Sequence, residues 1–281
     1  MLDIGGAMFF TDYSMAPGML AQALEERGFE SMWAPEHSHI PTSRRSPFQG
    51  GGDLPKQYYD VMDPFVTLSA AAAVTKKIKL GTGVCLVIQR DTIQTAKLVA
   101  SVDQISGGRF LFGIGAGWLR EETELMGGDF DHRWTQTRES ILAMKELWTK
   151  PQAEFHGKYY NFPLVKSFPK PAQKPHPPVL LGGDAPRVLE RIVAWGDGWL
   201  PNRVTPEQLR ERRATLDRLA REAGRDPAAI SISVHGQPAD RDLIRRFHDA
   251  GATRVIVRPA TTRSESEMVT ELTRIADALI G

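Results

Sequence analysis

Glu36 and His37 are the side chains best suited to chemistry, because they close an apolar run, Phe29 to Ala34 then Pro35, and precede a long polar stretch. An imidazole with an ordinary pKa of about 6.5 can pass a proton, or hydrogen-bond a redox ring, near neutral pH. Glu36 beside it is placed to orient a ligand hydroxyl or to tune the histidine. The same stretch reads His37-Ser38-His39, a His-x-His pair of the type that ligates metals. A metal site needs three or four ligands, and no second cluster of the right kind is found, so no metal is expected. Gly113-Ile114-Gly115-Ala116-Gly117 makes a tight turn able to offer backbone amides to a planar or phosphorylated ligand. It is only a fragment of a dinucleotide fingerprint, since Trp118 stands where the last glycine belongs, and no G-x-x-x-x-G-K-S/T loop occurs. Cys85, beside an earlier glycine turn, reads as a small packing residue rather than a nucleophile. Arg44, Arg45 and Lys56 lie in the polar stretch, where they are candidates to receive an anionic ligand tail.

These residues matter only if the fold delivers them to one place. Ile78 to Leu80 runs into Gly81-Thr82-Gly83-Val84-Cys85, and Arg109 to Ile114 runs into Gly115-Ala116-Gly117-Trp118. Between them Ile93, Ala96, Val99, Val102 and Ile105 recur at close to helical spacing until Gly107-Gly108. Strand, crossover helix, strand is the unit of parallel sheets, and such sheets bind ligands at the carboxyl ends of their strands. Further strands are expected at 2–10, 29–34, 179–181, 198–201, 230–234 and 253–257. Helices are expected at 19–27, from the Asp63-Pro64 cap, at 134–148 and 185–195, from the Thr205-Pro206-Glu207-Gln208 capping box, at 240–250 and from Ser264. Eight strands alternating with eight helices predict one α/β domain over 1–281, a (β/α)8 TIM barrel. It carries a long loop after strand 2 and an insertion around 150–178. A doubly wound open sheet is the alternative, and would normally show fewer units or a second domain. In the barrel the functional face collects Phe9-Phe10, Glu36-His37, Gly83-Val84-Cys85, Gly115 to Trp118, Gly182-Gly183, Pro201-Asn202, His235 and Arg258.

Composition narrows the partners. With 35 basic and 34 acidic residues the net charge is +1, which gives nucleic acid or an anionic membrane no field to use. No apolar stretch approaches the roughly 20 residues that span a bilayer, and the chain opens on Leu2-Asp3-Ile4 without a signal-peptide pattern. One cysteine forms no internal disulfide, in keeping with a reducing cytoplasm. A small-molecule partner is the expectation that remains.

Five motifs stand in a recognisable order: Ser31-Met32-Trp33-Ala34-Pro35-Glu36-His37, Ile78 to Val84, Gly107-Gly108-Arg109-Phe110 through Trp118, Leu181-Gly182-Gly183, and Gly196-Asp197-Gly198-Trp199. Together they resemble the luciferase-like flavin and deazaflavin oxidoreductases, which are (β/α)8 barrels. The resemblance implies a ring cofactor over the barrel mouth, with Glu36 and His37 at the ring and Gly83-Val84-Cys85 as a bulge behind it. In that family the bulge often holds a non-prolyl cis peptide. Gly115-Ala116-Gly117 and Gly182-Gly183 would follow the ribityl and phosphate arm, Glu121 a cofactor hydroxyl, and Trp118 the substrate space. The Gly-Thr-Gly-Val-Cys and Pro-Glu-His wording is closer to the coenzyme F420 branch than to the monooxygenases. The implied activity is hydride transfer between the deazaflavin and a small organic substrate, with His37 as the catalytic proton donor or acceptor, in a homodimer. The alternatives are a monooxygenase using reduced FMN and a non-catalytic protein that binds deazaflavin or flavin. One departure counts against a sugar-phosphate substrate: Trp118 occupies the place where deazaflavin sugar-phosphate dehydrogenases carry a catalytic glutamate.

Overall fold

Apolar runs too short for helices alternate with amphipathic segments along the whole chain, and each run becomes a buried parallel strand. The computed structural model describes residues 3–43, 45–48, 50–259 and 264–281. The elements run β1 (Asp3–Ala7), α1 (Pro17–Glu26), β2 (Ser31–Ala34), α2 (Pro64–Val74), β3 (Lys79–Thr82), β4 (Cys85–Leu86), α3 (Thr92–Ser106), β5 (Phe110–Gly115), α4 (Arg120–Leu125) and α5 (Arg133–Thr149). They continue with β6 (Ala153–His156), β7 (Asn161–Val165), β8 (Val179–Gly182), α6 (Val188–Trp195), β9 (Gly198–Leu200), α7 (Pro206–Glu222), β10 (Ser231–Gln237), α8 (Arg241–Asp249), β11 (Arg254–Val257) and α9 (Glu265–Leu279).

The parallel order β3-β2-β1-β11-β10-β9-β8-β5-β4 closes on itself, because β5 pairs with β3 at Leu80–Phe110 and with β4 at Cys85–Ile114. β3 and β4 thus share one of the eight barrel positions, interrupted at Gly83–Val84, whose peptide bond is cis. The insertion at 150–178 supplies the antiparallel hairpin β6–β7. Alternation along the strands sorts the core into two parts. Ala7, Trp33, Leu111, Leu180, Leu200 and Ile256 fill the lumen, while Phe110, Phe112 and Met32 face the helices.

Most expected boundaries hold, including the Asp63 cap, the Thr205–Gln208 capping box and the Ser264 cap. The first strand stops at Ala7, α6 begins at Val188 rather than at 185, and β10 runs on to Gln237. The spacing assigned to α3 is right only at its centre: Ala96, Val99 and Val102 are buried, whereas Ile93 and Ile105 are 38% and 54% exposed. A strict three-residue repeat lags a helix of 3.6 residues per turn, so positions six away from Val99 lie about 120° round from it.

Below the lumen, Arg254 is 4% exposed, ion-paired to Glu30, and donates to Ser233 Oγ at 2.8 Å. Lys79 Nζ reaches the same Glu30 at 2.8 Å. Burial alone would raise the Glu30 carboxyl, but the hydrogen bonds and charges of Arg254 and then Lys79 outweigh it and hold the group at about 2, against an ordinary 4.5. A depressed carboxylate stabilises the fold above its unfolded pKa, and that contribution is lost as pH falls through the folded one. Acid titration of unfolding should therefore show a loss on the order of 3 kcal/mol from this group, falling between pH 4.5 and about 2. The Glu30→Gln variant should lack that leg, and an unchanged acid profile would contradict the assignment.

Candidate active site

The carboxyl ends of the strands open into a cleft of two chambers. An inner one of about 170 Å³ is bordered by Phe9, His37, Tyr58, Trp118 and Arg258. An outer one of about 500 Å³ is bordered by the Gly115–Gly117 turn, Gly182, Gly183, Arg133 and Arg203. Gly83, Val84, Leu86, Trp118, Asn202 and His235 border both, so the chambers are continuous.

His37 is delivered by the chain leaving β2, and its partner comes from α4. Nδ1 lies 2.9 and 3.0 Å from the two carboxylate oxygens of Glu122, whose side chain is fully buried. An ionised carboxylate only accepts, so Nδ1–H donates to Glu122 and Nε2 is left as the nitrogen that takes or gives a proton. This pairing fixes the ring, and His37 borders the inner chamber. Glu36 also borders the inner chamber. Its carboxylate accepts from the Leu86 amide at 2.6 Å and pairs with Arg90, which also pairs with Asp63.

A ring of aromatics roofs the inner chamber. Tyr58 lies 4.6 Å from Phe9, 5.5 Å from His37 and 5.4 Å from Phe48, centroid to centroid. Trp118 lies 6.2 Å from His37 and 6.1 Å from Phe48. Tyr58 and Phe48 both come from the long loop after β2, which is clasped onto α4. Glu121 accepts from the backbone amides of Arg45 and Ser46 and, at 2.7 Å, from Ser46 Oγ. Burial pushes the Glu121 carboxyl up, but these hydrogen bonds, Ser46 first, bring it down to about 2. Glu121 therefore holds the loop and borders neither chamber, a correction to the role expected from the resemblance.

Cys85 is a second correction, because its side chain is fully buried in the helix-facing core and burial, with Glu36 nearby, pushes its thiol up. Phe10 likewise turns inward and is 1% exposed. Of the loop cations, Arg44 lies outside the described residues. Arg45 pairs with Glu121 and Glu124, and Lys56 pairs with Asp60 over the Tyr13 ring, so neither is directed at the cleft. His39 accepts from or donates to Ser38 Oγ and does not join His37. Among the described residues no group of three or more His, Cys, Asp or Glu is arranged to hold a metal ion, and no helix is long and apolar enough to cross a membrane.

Gly83, Val84, Gly115, Ala116, Gly117, Gly182, Gly183 and Trp118 all border the cleft as expected from their place after the strands. Sequence reasoning passed over Glu122, Tyr58 and Phe48, and named His235 only as a residue following a strand. His235 Nε2 is buried without a hydrogen-bond partner, and a Cβ on Gly83 would lie 2.8 Å from it. Burial, then the charge of Arg258, pulls this imidazole down to about 3, so it is neutral at physiological pH.

Two observations bear on a bound ring cofactor. The orphaned His235 nitrogen stands on the wall shared by both chambers, beside the Gly83–Val84 bulge. Gly183, at φ 82°, has open space where a Cβ would be, on the wall of the outer chamber. Both fit a planar group with a phosphorylated arm, and Arg133 and Arg203 on the outer chamber suit the charge of that arm. Gly183→Val should cost about 1–2 kcal/mol of stability through its left-handed backbone. Its larger effect should be to weaken flavin or deazaflavin binding at least tenfold, read by titration beside a thermal melt. Binding at wild-type strength would remove the glycine turn from the cofactor site.

The closed barrel, the interrupted third strand and the cleft at the carboxyl ends define the luciferase-like class of barrel proteins. The chain belongs to the luciferase-like monooxygenase family, whose model matches residues 18–246. An uncharacterized protein of Mycobacterium tuberculosis is 35% identical over 260 residues, 90% of each chain. Among solved structures, the monooxygenase RslO1 from Streptomyces bottropensis superposes with a TM-score of 0.78 at 20% identity, covering 99% of this chain and 97% of that one. An F420-dependent secondary alcohol dehydrogenase, solved with an F420-acetone adduct, gives 0.75 at 18% identity, covering 100% and 99%. At these identities the structural likenesses speak for the fold alone.

Proposed function

We propose that this protein is an oxidoreductase that moves hydride between coenzyme F420 and a small organic substrate bearing a carbonyl or hydroxyl. The observation that carries the reading is the His37–Glu122 pair, a proton-transfer group held by a buried carboxylate on the wall of a small chamber that Phe9, Tyr58 and Trp118 also line. When bound, the deazaflavin supplies the hydride-carrying carbon. The chain's own residues do the rest. Gly115–Gly117, Gly182 and Gly183 hold the phosphorylated arm, and the Gly83–Val84 bulge with neutral His235 backs the ring. His37 Nε2 gives or takes the proton at the substrate oxygen, and Tyr58, Phe48 and Trp118 exclude water from it. The wording of the Pro-Glu-His turn supports F420 over FMN.

The second reading, a monooxygenase working with reduced FMN, is favoured by the match to the luciferase-like monooxygenase family over residues 18–246. Anaerobic incubation with reduced F420 and a panel of small ketones and keto acids separates the two. Return of the oxidised deazaflavin spectrum is the expected result. Oxygen consumption with reduced FMN and substrate, without any reaction of F420, would overturn the proposal.

A further inference from the structure

Among the described residues, the charged groups around the inner chamber are paired with one exception. Glu36 pairs with Arg90, Arg90 with Asp63, and His37 with Glu122. Arg258, directly after β11, borders this chamber but not the outer one. Its backbone amide donates to Gln237 O at 3.1 Å, and its guanidinium carbon stands 5.8 Å from the centre of the Phe9 ring. Among the described residues no carboxylate lies within ion-pair distance of it. Tyr58 and His235, which feel its charge, are themselves uncharged near pH 7, the first raised by burial and the second lowered by it.

The sequence of contacts is informative. Arg258 lies against Phe9, Phe9 against Tyr58 at 4.6 Å, and Tyr58 against His37 at 5.5 Å. A cation, an apolar ring pair and a proton-transfer imidazole therefore follow one another around a single small chamber. A planar guanidinium offers paired donors to an oxyanion. The phosphorylated arm of a cofactor fits the glycine turns of the outer chamber, which Arg258 does not reach, so this cation is left for something else.

We propose that Arg258 is a specificity residue that seats an oxyanion of the substrate, a carboxylate or a phosphonate-like group, with an apolar segment against Phe9 and Tyr58 and the reacting carbon at His37. The reacting end of this assignment rests on the function proposed above; the anion seat does not. It assigns the substrate to the keto or hydroxy acids rather than to simple ketones.

The test uses the whole protein without cofactor, following quenching of tryptophan emission, since Trp118 borders the chamber. The probes are short straight-chain keto carboxylates, their methyl esters and the matching phosphonates. The acids should bind saturably and the esters at least tenfold more weakly. Arg258→Gln should lower acid affinity tenfold or more while leaving the melting temperature and ester binding unchanged. Arg258→Lys should fall between, keeping the charge but not the paired donors. Preference between carboxylate and phosphonate identifies the anion. Equal binding of acid and ester, undiminished acid binding by Arg258→Gln, or no saturable acid binding with or without coenzyme would each overturn the proposal. Failure of F420 to react leaves this result standing, and loss of anion preference with hydride transfer intact removes this proposal alone.

Discussion

His37→Ala is expected to lower turnover by about 10²–10⁴-fold, the usual contribution of a positioned acid or base, while the protein keeps its fold and still binds its cofactor. Glu122 accepts the Nδ1 proton, so removing the imidazole leaves a fully buried carboxylate without its partner. Breaking such a pair from one side is costly. A stability loss should therefore accompany the kinetic one, and His37→Gln, which keeps a donor near Glu122, should recover part of the stability but none of the turnover. That split separates proton transfer from support of the fold. If His37→Ala keeps wild-type turnover and only loosens cofactor binding, His37 is a binding residue for the ring and not the proton-transfer group.

Gly113→Ala should be the most damaging single methyl in the barrel. A Cβ there would fall 2.0 Å from the Thr82 carbonyl oxygen and 2.9 Å from Leu200 Cδ2. The first contact is backbone and cannot swing aside, and Thr82 Oγ1 is itself tied to the Gly113 carbonyl at 2.6 Å. The strands would have to separate where β3 gives way to β4. A loss above about 4 kcal/mol is expected, seen as a large fall in the urea midpoint or as failure to accumulate soluble protein. A midpoint near wild type would show that the strands part more easily than their packing implies.

Gly113 also marks what a sequence can and cannot tell. In the motif Gly113-Ile114-Gly115-Ala116-Gly117 the first glycine looks like part of a nucleotide fingerprint, yet its reason is strand packing, and only Gly115 to Gly117 border the cleft. The barrel was legible because most of the buried strands are short, apolar and followed within two residues by glycine or proline, and α2, α3, α7, α8 and α9 carry side-chain N-caps. His37 was legible for a related reason, since it follows a strand end directly. Glu122 was not. Two adjacent acids on a helix point about 100° apart, and without knowing where α4 begins nothing distinguishes Glu121, which clasps the loop, from Glu122, which holds the histidine. Tyr58 and Phe48 were hidden for a different reason: a long loop has no period, so its sequence does not say which side chains fold back over the cleft. Arg45 and Lys56 looked free for a ligand because their partners, Glu121 and Asp60, are set by that same folding.

The central claim is that the cleft holds a deazaflavin ring beside His37. A fluorescence titration of the purified protein with oxidised coenzyme F420, run beside one with FMN, tests it most directly. Saturable quenching at micromolar F420, weakened in Gly183→Val and preserved in His37→Ala, is the predicted result. Binding of FMN with no response to F420 would contradict it.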